Sequence, residues 1–194
     1  MPSRYNRVMR LIAPSEYRRM PWKNGGGTTW EVAMHPPDAD WSSFDWRISI
    51  AEIASDGPFS SFPGMDRALV VIAGNGMRLT GIGEAPVDLR RHDLVEFAGE
   101  AQVGGRLLDG PTRDFNVMTR RGAVRAEVRV VRDARMAWSS ASTYLCHAAS
   151  ASCACIVEDS AIEVGEAHTL VCDASHFEVD AARGAVAVVA RLSA

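Results

Sequence analysis

The chain has 194 residues, 47% of them apolar and 23% charged, and a formal net charge of −3. That length holds one domain or two small fused halves, with enough apolar residues for a sizeable core. The slightly acidic balance argues against a general nucleic-acid binder, and no stretch reaches the roughly 18 consecutive apolar residues of a membrane helix.

The N-terminal segment MPSRYNRVMRLIAPSEYRR is basic but has neither a sustained apolar run nor a small-residue cleavage site. It reads as no secretory signal, and the protein is expected in the cytoplasm. Val8–Ile12 alternates and predicts a first strand. Ser15 is placed to cap a short helical turn over Tyr17–Met20, which Pro21 interrupts. The segment PWKNGGGTTWEVA, Pro21 to Ala33, follows, with Gly25, Gly26 and Gly27 in a row. Glycines allow close backbone approach and positive φ, and Lys23 and Asn24 add a cation and an amide. Two readings stand: an anion or carboxylate grip, or a tight turn whose neighbours pack.

Thr28–Met34 predicts the next strand, and Pro36–Asp40 a loop. Trp46–Ala54 (WRISIAEIA) alternates with a period of two. Trp46, Ile48 and Ile50 share one face, and Arg47, Ser49 and Ala51 the other. Either face can line a barrel interior, and the sequence leaves that choice open. Ala68–Ala73 is a short buried strand entering the Gly74-Asn75-Gly76 turn. Strands are then expected at Met77–Thr80, Val87–Leu89, Leu94–Phe97, Phe115–Thr119, Ala126–Val131, Thr143–His147, Ala154–Val157, Thr169–Val171 and Ala185–Leu192, with a loop at Ala148–Ser152. Many short strands, with no long amphipathic helix, predict an all-β sandwich or barrel.

The four cysteines are Cys146, Cys153, Cys155 and Cys172. They form no CxxC pair, although Cys153 and Cys155 share a strand face. A zinc site there needs further ligands, with His147, His168 and His176 nearest in sequence. Reduced, buried thiols are the favoured reading, and no metal is assigned.

Residues Gly57 to Gly76 resemble the first cupin motif in spacing, but Pro63, Met65 and Leu69 stand where its metal ligands belong. Pro and Leu cannot bind a metal, and Met is a soft, weak ligand. His92-Asp93, Phe97 and Gly99 give a shorter likeness to the second motif. The reading is a barrel geometry kept and a metal site lost. Polar residues gather around these strands: Arg47, Ser60, Asp66 and Arg67, then Asp114, Asn116 and Arg120. Asp and Asn two apart on one strand face either pair with buried groups or line a cavity. Singly, each charge reads as a solvated residue or a structural ion pair; together, Lys23, Arg47, Arg67 and Arg120 offer donors to a carboxylate.

PWKNGGGTTWEVA, then DWRISIAEIASDGPFSSFPGMDRALVVIAGNG, then DFNVMTRRG resemble the HutD/Ves family in order and spacing, over about half the chain. The resemblance implies a cupin-like β-barrel fold with two barrel halves, a bicupin, in one compact chain. Residues 1–122 would form the first and 123–194 the second, with strands open to exchange between them. It implies a small-molecule binder that regulates histidine utilisation, with urocanate, formylglutamate or a related carboxylate metabolite as ligand. It assigns no catalytic residue and no cofactor. By motif it implicates Lys23, Asn24, Gly25, Gly26, Gly27, Arg47, Ser60, Asp66, Arg67, Asp114, Asn116 and Arg120 as ligand-binding residues. The alternative is a metal-independent cupin enzyme, an isomerase or epimerase, built on Asp66 with Arg67 or Asp114 with His92. A homodimer is expected, with no nucleic-acid or membrane partner.

Overall fold

A computed structural model describes residues 8–194, leaving aside the Arg183 side chain. The first seven residues, part of the segment read above for a signal, lie outside the described residues. Among the described residues the chain is all-β apart from a 3-10 turn at Pro14–Glu16. Its strands gather into two compact units: residues 17–126, and residues 127–193 together with the N-terminal strand.

The first unit holds two antiparallel sheets. The larger joins β2 (Arg18–Pro21), β3 (Gly27–His35), β4 (Trp46–Ile53), β11 (Thr112–Arg120), β6 (Met65–Ala73) and β9 (Leu94–Ala98), in that spatial order. The smaller joins β5 (Gly57–Pro58), β10 (Gly104–Leu107), β7 (Met77–Thr80) and β8 (Val87–Leu89). Ile53, Leu69 and Val71 of the larger sheet pack with Met77, Leu79 and Leu89 of the smaller one. Each such side chain, taken from water, contributes about 1.5–3 kcal/mol, which makes this layer the main force holding the two sheets together. Gly76 makes the turn into β7 at φ +96, and a Cβ there would clash with the Leu89 carbonyl oxygen. That close approach is what one glycine of the cupin spacing supplies.

The second unit is a seven-stranded sheet, ordered β1 (Met9–Ile12), β16 (Thr169–Ala174), β13 (Ser142–Ser150), β17 (Phe177–Ser193), β14 (Cys153–Val157) and β15 (Ser160–Val164), with β12 (Arg125–Trp138) also pairing β17. Its interior contains Tyr144, Phe177, Leu170 and Val189, and the rings of Tyr144 and Phe177 stack 4.9 Å apart.

Three expectations are corrected. Residues 17–20 are not helical: β2 begins at Arg18 and pairs β3 from Arg18↔Glu31 to Pro21↔Thr28. Sheet pairing outweighs the local cap, and Pro21 is tolerated because β2 is an edge strand. The loop expected at Ala148–Ser152 shrinks to residues 151–152, with Ala151 at φ 54. β12 and β17 run well past their expected ends, and β5, β10 and β15 were not foreseen.

Candidate functional site

The larger sheet of the first unit turns one face to a cavity of about 580 Å³. Alternation along the strands decides which side chains reach it. Arg47, Ser49, Ala51 and Ile53 of β4, Asn116 and Met118 of β11 and Arg67 of β6 all line it. In register, Met118 lies between Arg47 and Arg67, so the two cations stand in one row across three strands. The choice left open above is thereby settled: the Arg47 face borders the cavity, while Trp46, Ile48 and Ile50 are buried on the opposite face. Trp22, Trp41, Phe59 and Phe62 add aromatic walls, and Lys23, Asn24, Thr29 and Ser60 complete the polar part of the lining. Among the described lining residues three are basic and none is acidic.

Arg47 is 3% exposed. Its Nε donates to Glu31 Oε2 at 2.8 Å and its Nη1 to Ser49 Oγ at 3.2 Å, with the Trp41 ring 4.5 Å away. Glu31 is shared with the exposed Arg18 at 2.9 Å. Burial pulls the Arg47 pKa down, and Glu31 opposes that shift. Arg67 donates through Nη2 to Asn116 Oδ1 at 2.9 Å and through Nη1 to the Ser60 carbonyl at 3.3 Å. The rings of Phe59, Phe62 and Phe97 surround its guanidinium at 4.9 to 5.6 Å. Burial lowers its pKa to about 10, so it stays charged at neutral pH.

Asp114 lies behind this row and outside the lining, fully buried. Its Oδ1 accepts from Asn116 Nδ2. Desolvation pushes its pKa up to about 7, against the pull of Arg67 and the Asn116 bond. A neutral Asp114 leaves Arg67 without an anionic partner. Arg47 Nη2, Arg67 Nε and Asp114 Oδ2 are buried with no hydrogen-bond partner among the described residues. Unpaired buried guanidinium N–H groups are costly and favour an incoming acceptor.

Of the residues nominated from sequence, Lys23, Asn24, Arg47, Ser60, Arg67 and Asn116 meet at the cavity, with Asp114 directly behind them. Gly25, Gly26 and Gly27 do not line it. Gly25 takes φ +73, and Asn24 Oδ1 accepts from the Gly26 N–H at 3.0 Å. A Cβ at Gly27 would clash with the Glu52 carbonyl oxygen and sit 3.0 Å from the Trp22 ring. The glycines thus shape a turn that seats Trp22. Asp66 is exposed and paired with Arg121 at 2.8 Å. Arg120 donates to the carbonyls of Ser42 and Phe44 at 2.9 and 2.7 Å and fixes the loop that carries Trp41. His92 stands at φ 73 outside the lining. The sequence reading missed Trp22, Trp41, Phe59, Phe62 and Glu31. Only Glu31 carried a signal, as a lone acid on a strand facing Arg47 and Ser49.

The cupin ligand positions do not fit a metal. Leu69 is fully buried in the layer between the sheets, and Met65 packs with Phe44 and Met118. Neither offers a nitrogen or oxygen donor, and Pro63 has none in its side chain.

Fold and site define a class: a cupin-like, all-β barrel with a cavity lined by arginines and aromatic rings. The HutD family model matches residues 14–189, and the chain belongs to the HutD family. It is 41% identical over 142 residues to an uncharacterized 21.2 kDa protein in the hutC 3′ region of Pseudomonas putida, covering 73% of this chain and 74% of that one. It is 43% identical over 119 residues to Protein Ves of Cronobacter sakazakii, covering 59% of this chain and 64% of Ves. The solved structure of HutD from Pseudomonas fluorescens, in a formate condition, superposes with a TM-score of 0.81 at 31% identity, covering 96% and 98% of the two chains. At 9% identity, oxalate decarboxylase of Lactobacillus farciminis shares the fold, with a TM-score of 0.62 over 94% and 85% of the chains.

Proposed function

We propose that the cavity binds a small carboxylate metabolite and that the protein regulates histidine utilisation through that binding, with urocanate, formylglutamate or a related intermediate as ligand. One observation carries the reading. Arg47 and Arg67, both buried in the lining, each keep an N–H group without a protein acceptor among the described residues. A carboxylate satisfies both groups and the local excess of positive charge. The aromatic walls suit a planar or extended carbon skeleton. Family membership supplies the link to histidine utilisation.

The enzyme alternative needs an acid and a base touching the ligand. Asp114 lies behind Asn116, and Asp66 and His92 lie outside the lining, so no feature of the cavity favours turnover. We further place the protein in the cytoplasm, in keeping with four buried free thiols. Among the described residues no helix is long and apolar enough to cross a membrane. A homodimer is proposed with exposed Met9 and Leu11 on edge strand β1 in mind, and the two units are read as the two halves of a bicupin.

Thermal unfolding with urocanate or formylglutamate tests the main reading. At a ligand concentration of about 100 Kd the linkage stabilises by about 2.7 kcal/mol, which raises Tm by roughly 5–10 °C for a chain of this size. Absence of a shift with every small carboxylate tried would overturn it.

A further inference from the structure

The second unit contains a cluster that the cavity does not use. Cys146 of β13 and Cys153 and Cys155 of β14 have sulfurs that all lie within 4.8 Å of one another. The Cys146 and Cys153 sulfurs are 3.6 Å apart. Topology explains the meeting. The long strand β17 pairs β14 through residues 177–180 and β13 through residues 186–192, so the sheet curls and the two strands face across the interior. Along β14, Cys153, Cys155 and Val157 point inward while Ala154 and Ile156 are exposed. Ala181, Ala185 and Ala187 of β17 are buried in the same cluster, and their small side chains leave room around the sulfurs.

We propose that Cys146, Cys153 and Cys155 form a three-sulfur site for a thiophilic monovalent d10 cation of the Cu(I) type. A trigonal site with metal–sulfur bonds of about 2.3 Å separates its sulfurs by about 4.0 Å. To reach that spacing the Cys146–Cys153 pair opens by about 0.4 Å and the wider separations close by at most about 0.8 Å, within small side-chain adjustments. Three sulfurs and no nitrogen or oxygen ligand match a soft cation. Zinc prefers a fourth donor. Among the described residues none joins the group, since Cys172, His147, His168 and His176 fall outside it. Hydrogen bonding among the three sulfurs, with burial added, raises the Cys146 thiol and lowers that of Cys153, so protons remain on the cluster in the metal-free protein. The cation binds as those protons leave to solvent, and no electron moves. Access is through the β13–β14 hairpin: Ala151 and Ser152 are exposed, Cys153 is the first residue of β14, and the β13–β17 register shifts between Ala148 and Ser150. The cluster lies entirely in the second unit, so its test is independent of the carboxylate reading.

The experiment is an anaerobic competition between the reduced full-length chain and the Cu(I)–bicinchoninate complex, read by loss of the chelate colour and by native mass spectrometry. The expected result is one Cu(I) per chain, with affinity rising with pH. Cys172→Ser should keep that affinity, while Cys155→Ser and Cys153→Ser should lower it at least 100-fold with the far-ultraviolet circular dichroism unchanged. Failure of the wild-type chain to compete overturns the proposal, whatever the variants do. So does equal affinity in Cys155→Ser, or a wild-type preference for Zn(II) over Cu(I).

Discussion

Replacing Asp114 by Asn separates two opposite electrostatic accounts of the cavity floor. Its carboxyl is fully buried, and desolvation lifts its pKa from 3.8 to about 7. In the unfolded chain it loses its proton near pH 4, while the folded protein holds that proton until about pH 7. Unfolding therefore releases a proton in this window, and stability falls as pH rises from 4 to 7, then levels off. The difference between the two pKa values corresponds to about 4 kcal/mol. Asp114→Asn removes that titration, so the variant should gain about 4 kcal/mol relative to wild type between pH 4 and 7. Urea midpoints of the two proteins, measured in parallel from pH 4.5 to 8.5, give this difference and cancel every other titration. The wild-type carbonyl band of a protonated carboxyl should be present at pH 6 and absent from the variant. A difference that stays flat, or one in which wild type gains as pH rises, would show an ionised Asp114 serving as counter-ion to Arg67 and refute the reasoning.

Arg67→Met should weaken urocanate or formylglutamate binding ten- to a hundredfold by calorimetry, since hydrogen bonds to charged groups contribute about 1.5–3 kcal/mol. Carboxylate affinity should also fall above pH 7, where ionised Asp114 competes for Arg67; an affinity constant from pH 6 to 9 would contradict the assignment. Gly27→Ala should cost about 1–3 kcal/mol of stability through the Glu52 and Trp22 contacts, read as a lower Tm. Leu69→Ala should cost about 2–5 kcal/mol in denaturant unfolding, because the side chain is fully buried between the sheets.

The barrel was legible where strands alternate or form short apolar runs, as in β4 and β6, and the Gly57–Gly76 spacing pointed to a cupin-like turn that Gly76 indeed makes. β10 was hidden because its sequence, GGRL, opens on two glycines that carry no β signal. β2 was hidden because its pairing with β3 outweighed a plausible local cap. The inner face of β4 could not be chosen, since both faces are buried and amphipathicity gives no vote. The aromatic walls were invisible for a different reason. Trp41 and Phe62 sit in irregular segments where no period exists, and Arg120 reaches the Trp41 loop from 76 residues away in sequence.

The row Arg47–Met118–Arg67 rests on a hydrogen-bonded ladder across β4, β11 and β6. Two inter-strand steps set the backbone separation of the two arginines at about 9.6 Å, a length fixed by the sheet. Lys23 rides on an exposed turn beside them. The cavity thus combines a gauge fixed by the sheet with a cation set on a turn outside it. The spacing between the arginines persists until the sheet unfolds cooperatively, while Lys23, on a turn outside the ladder, is not held by that constraint. On the proposed reading, the sheet sets which ligand lengths fit, and the turn carrying Lys23 adjusts the grip.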